Sequence, residues 1–224
     1  MTRVIDELRE KNDVGYKEFN DKLIPNVRST LGVRVPVLRK IALKIMKEDW
    51  RSFLNEEVIV FEEYIIKAII IANAEMSWEE RLALTREFVP YVDNWAVCDL
   101  LCGDWKVAQD SKEPLWSLCK ELMDSNEEFK MRVAAVMMLS KFLDDDHIDG
   151  VLALLTLYSN DGYYYKMGAA WTLSYCYIGY QEKTEEVLSS GKLDREIHNL
   201  TIRKVCESRR VSDEVKQHVK RFKR

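Results

Sequence analysis

Proline and glycine are scarce in this chain, whose 224 residues include four prolines and eight glycines. Because these two residues interrupt regular structure, their scarcity argues against a fold with many turns and favours helices. Strand-like alternation is also rare, whereas apolar residues recur at the helical period in nearly every segment. The sequence therefore predicts an all-α protein.

The short motifs that hold a cofactor or build a common catalytic centre are missing. There is no glycine-rich phosphate loop, no Ser/His/Asp set and no Cys/His spacing typical of zinc. The five cysteines lie mostly in apolar helical segments, and the three histidines (His147, His198 and His218) lie in polar ones. We therefore expect no cofactor and no metal, reduced cysteines in the core, and histidines on the surface.

A secretion signal and a membrane-spanning run are missing as well. The first thirty residues are charged and lack the apolar centre of a signal peptide. The apolar run from Ile65 to Ala74 is interrupted by Lys67 and Asn73 and is too short to span a bilayer. We expect a cytoplasmic protein that does not contact a membrane.

An excess of positive charge is also missing, since the net charge is −4. The basic residues are concentrated at one end, because residues 192–224 contain eleven Lys or Arg and five acids. This basic end on an acidic body predicts either a surface that faces a polyanion or a solvated final helix.

The apolar period predicts about twelve short helices. They cover residues 2–12, 16–29, 37–47, 57–75, 77–89, part of 91–102, 114–123, 129–142, 147–158, 163–177, 182–190, 194–207 and 212–222. Residues 57–75 are apolar almost all round, and residues 50–54 are interpreted as a connecting turn. Gly15 is expected to break the first helix, while capping boxes at Ser77 and Ser125 start two later ones.

Successive helix pairs occupy about 35–45 residues, which is the period of HEAT-like repeats. We expect a single domain over residues 1–224 with about six helix pairs. Such pairs stack into a curved solenoid, an α-α superhelix with a concave cleft. A compact helical bundle is the alternative.

Polar side chains occupy apolar positions in two of these helices. Trp95 and Asp99 lie one turn apart on an otherwise apolar face of a helix that Asp93 or Asn94 can cap. A carboxylate there is costly unless it belongs to a site, accepts a hydrogen bond from a helix end, or pairs with a buried arginine. Arg132 opens another apolar run and needs a carboxylate or a phosphate.

Aromatic residues mark a third helix, where Trp171 lies two turns beyond Tyr164 on the same face. Such a stripe is either core packing or a platform for nucleotide sugars and bases. The marked positions on the three helices are about 35 residues apart, close to the repeat length. In a solenoid they would line one concave surface.

In their order and spacing these residues resemble the DNA alkylation repair family of HEAT-like repeat proteins, the group of AlkD-like alkylpurine DNA glycosylases. The resemblance covers essentially the whole chain. It is carried by residues 32–39, the Trp95-x-x-x-Asp99 pair, Arg132 before Val-Ala-Ala, Tyr163-Tyr164 leading to Trp171, and residues 198–208.

The resemblance implies a hydrolase of base excision repair that cleaves the N-glycosidic bond of cationic N3- or N7-alkylated purines in double-stranded DNA. The residues implied for the catalytic site are Asp99 (the carboxylate), Trp95 and Trp171 (on the deoxyribose and backbone) and Arg132 (on a nearby phosphate). The residues expected to bind the surrounding DNA are Tyr163, Tyr164, Lys166, Arg34, Arg39, Arg203, Lys204, Arg209 and Arg210.

Two other functions stay open from the residues alone. One is a non-catalytic module that binds damaged or branched DNA, and the other is a helical scaffold for a protein partner. For the enzyme we expect a monomer that acts on alkylated duplex DNA.

Overall fold

A computed structural model describes residues 4–24 and 29–224 of the chain. Over these residues it has fourteen α-helices and no β-strand, which confirms the predicted all-α helical-repeat fold. The helices are α1 (Val4–Glu10), α2 (Val14–Leu23), α3 (Val35–Ile45), α4 (Trp50–Asn55), α5 (Phe61–Asn73), α6 (Trp78–Phe88), α7 (Trp95–Asp104), α8 (Lys112–Asp124), α9 (Glu128–Lys141), α10 (Ile148–Leu157), α11 (Tyr163–Gly179), α12 (Gln181–Ser189), α13 (Arg195–Glu207) and α14 (Asp213–Val219).

The chain divides into two compact units, Met1–Ala108 and Gln109–Arg224, and each is described by itself. In the first unit α5 packs between α3 and α7, and α4 and α6 also contact α5. In the second unit α11 packs between α9 and α13, and α8, α12 and α14 each cover one of these three helices. Each unit thus repeats the same helix-on-helix packing, while the single array over residues 1–224 stays a prediction.

Hydrogen bonds that connect equivalent places in successive repeats hold these rows together. The Glu62 carboxylate at the start of α5 accepts bonds from three consecutive backbone N–H groups, including that of Gly32 at 2.7 Å. The Glu128 carboxylate at the start of α9 accepts a bond from the backbone N–H of Tyr164 at 2.6 Å. An acidic residue in the first turn of one helix thereby fixes a chain segment of the neighbouring repeat.

Two predicted interruptions of helix are wrong. Residues 50–54, interpreted as a turn, lie in α4, because Asp49 caps that helix and the side chains of Trp50 and Phe53 are buried on it. The first break falls at residues 11–13, before Gly15, because the Asp13 carboxylate accepts a bond from a backbone N–H of the first turn and starts α2.

The two predicted capping boxes have different outcomes. The Ser77 hydroxyl accepts a bond from the backbone N–H of Glu80 at 3.2 Å, so Ser77 caps α6 as predicted, whereas the Glu80 carboxylate binds Arg51. Ser125 does not cap α9, because it is the C-cap residue of α8 and Glu127 takes the N-cap position of α9. The Ser125 hydroxyl donates to the Leu122 carbonyl at 2.7 Å and accepts a bond from the Glu127 N–H at 3.2 Å.

The core confirms the apolar pattern but corrects the prediction for the histidines. All of α5 except Asn73 is buried, as the apolar run predicts. His147 and His198 are buried, so their predicted surface positions are wrong. His147 packs beside Phe142 with its Nδ1 atom 2.8 Å from a carboxylate oxygen of Asp144, and His198 lies under residues 222–224.

Three further predictions concern the cysteines, the apolar residue Val27 and the absence of a membrane-spanning segment. All five cysteines are free and four are buried, in agreement with the prediction of reduced core residues. Val27, an apolar position of the second predicted helix, lies outside the described residues. None of the helices in the described ranges is long and apolar enough to cross a bilayer.

Candidate functional site

Helix α7 presents the predicted Trp95–Asp99 pair at the edge of a pocket. Asn94 fixes the start of the helix, because its side-chain oxygen accepts a bond from the backbone N–H of Val97 at 3.0 Å. The opposite face of α7 is buried, since α7 packs on α5. Trp95 and Asp99 are therefore left half-buried, one turn apart, as the sequence predicts.

The pocket has a volume of about 310 Å³ and is formed entirely by the first unit. Its walls come from α2, α3, α5 and α7, and Trp95, Asp99 and Tyr16 are among the side chains that line it. The Trp95 ring is oriented by its Nε1–H group, which donates to the Leu23 carbonyl at 3.1 Å. A carboxylate beside an indole in a half-open pocket can stabilise a cation.

Arg39 lies in the same pocket, where its charge is matched by Asp104. Its guanidinium binds both carboxylate oxygens of Asp104, with a distance of 3.1 Å for Nη2 to Oδ1. Asp104 belongs to α7, so this ion pair connects α3 to the helix that carries Asp99. The sequence analysis assigned Arg39 to DNA binding, and the structure shows that it already has a carboxylate partner.

Arg34 is likewise paired within the first unit. Its Nε and Nη2 atoms donate to the Asp13 carboxylate at 3.1 and 2.9 Å, and its guanidinium lies 4.6 Å from the centre of the Tyr16 ring. The bond from the Tyr16 backbone N–H, followed by the bond from Arg34, lowers the pKa of Asp13. Arg34 therefore lies beside Tyr16, which lines the pocket.

Arg132 in the second unit is 95 % buried between α9 and α11. Its Nη1 atom donates to the Tyr164 carbonyl at 2.8 Å. Gly168 makes room for it, because a Cβ atom on that residue would lie 3.2 Å from Cγ of Arg132. Gly168 therefore permits close contact between α9 and α11. The predicted phosphate contact of Arg132 stays a prediction.

Two groups of aromatic rings lie on α11. Tyr163 and Tyr164 meet edge to face with 5.4 Å between ring centres, and Phe129 of α9 lies 4.9 Å from Tyr164. Further along, Trp171 and Tyr175 meet edge to face at 6.2 Å. Sequence analysis missed Phe129 and Tyr175, although Tyr175 is four residues after Trp171, a spacing that places both on one helix face.

The predicted basic residues of the second unit differ in their partners. Lys166 binds Glu196 at 2.7 Å, and this bond raises the pKa of the lysine. Arg203, Arg209 and Arg210 are exposed, and none of them forms an ion pair with a carboxylate in the described part of the chain. Lys204 is half-buried. The three exposed arginines at the end of α13 and in the following loop can therefore bind an external anion.

The structure thus brings Trp95, Asp99 and Arg39 to one pocket of the first unit. It places Arg132 and the predicted aromatic residues along α9 and α11 of the second. The concave surface predicted to combine both sets stays a prediction. No group of three or more His, Cys, Asp or Glu residues that could hold a metal ion occurs in residues 4–24 and 29–224.

The fold and the site define an all-α helical-repeat protein. Its first unit has a pocket lined by Asp99 and Trp95, and its second unit has the three exposed arginines at the end of α13 and in the following loop. The family model described as DNA alkylation repair enzyme matches residues 4–207. The chain belongs to this family, and the match confirms the family resemblance deduced from the motifs. No curated protein and no solved structure matches the chain.

Proposed function

We propose that this protein is a DNA glycosylase that hydrolyses the N-glycosidic bond of cationic N3- or N7-alkylated purines in duplex DNA. Membership of the DNA alkylation repair enzyme family supports a role in repair of alkylated DNA. The observation that carries the proposal of base excision is the position of Asp99 beside Trp95 in a pocket of about 310 Å³.

The chemistry of the substrate explains why one carboxylate is enough. An alkylated purine is already cationic and leaves as a neutral base, so its departure needs no general acid. The sugar becomes positively charged as the bond breaks, and a nearby carboxylate stabilises that charge and orients the attacking water. Glycosidases that act on neutral leaving groups need two carboxylates for the same task.

The other proposed site residues act around this step. The indole of Trp95 adds a cation–π interaction with the developing charge. Trp171 packs on the sugar and backbone of the damaged nucleotide, and Arg132 holds a phosphate near it. The exposed Arg203, Arg209 and Arg210 supply salt-dependent phosphate contacts. Because Arg34, Arg39 and Lys166 already have carboxylate partners, we assign them a smaller share of the DNA affinity.

Replacing Asp99 by Asn tests the catalytic proposal. The amide has nearly the same shape but no charge, so we expect release of 7-methylguanine from methylated duplex DNA to fall by about 100-fold or more. Binding of the same DNA and the unfolding temperature should change little. Single-turnover release of the free base, measured with enzyme in excess, reports the chemical step.

Glu79→Gln is the matched control, because Glu79 is exposed on α6 and lies outside the pocket lining. Its release rate should stay within about twofold of the parent, since distant surface charges are screened. An Asp99→Asn variant as fast as the parent would show that the catalytic assignment is wrong. DNA binding by the parent without any base release would favour the non-catalytic DNA-binding module.

A further inference from the structure

The exposed guanidinium of Arg210 is held against an aromatic ring next to Trp171. Arg210 lies in the loop between α13 and α14, and its guanidinium carbon is 5.0 Å from the centre of the Tyr175 ring. The Tyr175 ring in turn meets the Trp171 ring edge to face at 6.2 Å. All three residues belong to the second unit, so Trp171, Tyr175 and Arg210 form one continuous row of contacts.

The loop that carries Arg210 is ordered by its own contacts. The backbone N–H of Arg210 donates to the Ser208 hydroxyl at 3.1 Å, and Ser212 caps α14 directly after the loop. Both ends of the loop are therefore fixed, and the side chain of Arg210 reaches Tyr175 from a defined position. No ring contact is found for the neighbouring Arg209 in the described residues, although it is equally exposed.

A guanidinium whose carbon lies over an aromatic ring still has N–H donors available for another partner. This geometry suits the oxygens of a phosphate, which two parallel N–H groups can bind together. Arg210 has no carboxylate partner in residues 4–24 and 29–224, in contrast to Arg34, Arg39 and Lys166. Its charge is therefore available to an external anion, and Tyr175 limits where that anion can be bound.

We propose that Arg210 binds a backbone phosphate of the DNA strand next to the nucleotide that Trp171 contacts, and that Tyr175 is the positioning residue for Arg210. This inference rests on the proposed function, because it takes Trp171 as a contact of the damaged nucleotide. Trp171, Tyr175 and Arg210 then act together: the indole meets the sugar, and the arginine fixes the adjacent phosphate and sets the register of the strand.

A double-mutant cycle in the full-length protein tests the proposal through the affinity for methylated duplex DNA as a function of salt. Loss of one phosphate contact makes the negative slope of log K against log salt less steep by about 1. It also weakens binding by roughly five- to tenfold at 0.1 M salt. We expect both changes for Arg210→Gln. Tyr175→Leu should weaken binding similarly, whereas Tyr175→Phe keeps the aromatic ring and should bind like the parent.

The two substitutions should be non-additive, so that Tyr175→Leu combined with Arg210→Gln binds no more weakly than Arg210→Gln alone. Arg209→Gln is the matched control, because it removes the same charge one residue away, and its effect should multiply with that of Tyr175→Leu. The inference would be overturned if the effects of Arg210→Gln and Tyr175→Leu on the binding free energy were additive, or if Arg210→Gln left the salt dependence of binding unchanged. If either result is obtained while the parent protein releases methylpurine, the proposed function stands and only this inference fails. A parent that does not bind DNA overturns both.

Discussion

At the scale of single residues, buried cations in this chain bond to main-chain carbonyls. Lys67 donates to the carbonyls of Leu54 and Glu56 at the end of α4, and burial lowers the pKa of the lysine. Arg132 donates to the Tyr164 carbonyl. Periodicity alone suggested only a carboxylate or a phosphate as its partner. The carbonyl lies 32 residues further along the chain, so only the packing of α9 against α11 reveals it.

Gly32 illustrates a residue whose replacement has a predictable cost. Its φ angle is +80°, and a Cβ atom there would lie 2.5 Å from the Asp13 carbonyl oxygen. We expect Gly32→Ala to lower the free energy of unfolding by at least about 2 kcal/mol, because backbone strain and a clash with main chain add. Urea denaturation followed by circular dichroism measures the change.

The control for this prediction is Gly179→Ala. Gly179 lies at the end of α11, and a Cβ atom there meets nothing within 4 Å. This variant should be as stable as the parent or slightly more stable, because alanine favours helix over glycine. Equal stability of the Gly32 and Gly179 variants would contradict the assigned strain.

At the scale of helices, the sequence predicts which segments are helical better than it predicts the residues at which each helix begins and ends. The apolar run of α5 and the start of α7 at Trp95 follow directly from pattern and capping residue. Helix α4 was missed because its six residues are too few to show a period, and burial of Trp50 and Phe53 stabilises it. The predicted cap at Ser125 failed because its hydroxyl bonds to the Leu122 carbonyl and the Glu127 N–H, not to an N–H group in the first turn of α9. Local sequence cannot decide between such competing partners.

Arg81 shows how one side chain terminates a neighbouring helix. It is 95 % buried, and its two terminal nitrogens donate to the carbonyls of Ile71 and Ala74 at 2.6 and 2.7 Å, at the end of α5. We expect Arg81→Met to destabilise the protein by about 2–4 kcal/mol, because two buried carbonyls lose their donors. Denaturation at pH 7 measures this difference in the free energy of unfolding.

Arg51→Met provides the comparison for the same side-chain change at an exposed position. Arg51 forms a two-point ion pair with Glu80 at 2.7 and 2.8 Å, but solvent screens it. Its replacement should leave the denaturation midpoint close to that of the parent. An Arg81 variant with the same midpoint would show that the α5 carbonyls find other partners, such as water.

At the scale of the whole molecule, the sequence predicts which residues carry charge but not which charges are already paired. The carboxylates that accept hydrogen bonds from Arg34, Arg39 and Lys166 lie 21 to 65 residues away in the chain. No spacing rule connects such positions, because the helical packing of each unit brings them together. The placement of Asp99 and Trp95 one turn apart on α7 could be predicted, because the helical period relates them, whereas their catalytic role stays a prediction.

The pH dependence of stability is a property of the whole chain that His198 should dominate near neutral pH. This side chain is fully buried, its Nε2 atom donates to the Phe222 carbonyl at 2.7 Å, and its Nδ1 atom accepts a bond from Arg224 at 2.9 Å. These partners assign the neutral tautomer with the proton on Nε2. Burial is the largest cause that lowers the pKa of His198, and the positive charge of Arg224 acts in the same direction.

Because the folded pKa lies below the unfolded value, the unfolded chain binds the proton first as pH falls. The contribution of neutral His198 is therefore complete above about pH 6.5 and is lost progressively below it, by at most about 1.4 kcal/mol at pH 5.5. Carboxylates whose pKa is lowered, such as Asp13 and Asp49, lose their contributions only below about pH 4. The range from pH 7.5 to 5.5 thus separates the histidine from the acids.

Urea denaturation of the full chain at pH 7.5, 6.5 and 5.5 measures this dependence. His198→Gln keeps a donor and an acceptor but cannot take up a proton, so its stability should vary less over this range than that of the parent. If the parent and His198→Gln lose the same free energy of unfolding between pH 7.5 and 5.5, then protonation of His198 does not cause the loss of stability. Residues 222–224 would then be held on α13 by other contacts. Those contacts would be the bonds of Arg224 to Asn199 and to the carbonyls of Gly191 and Leu193.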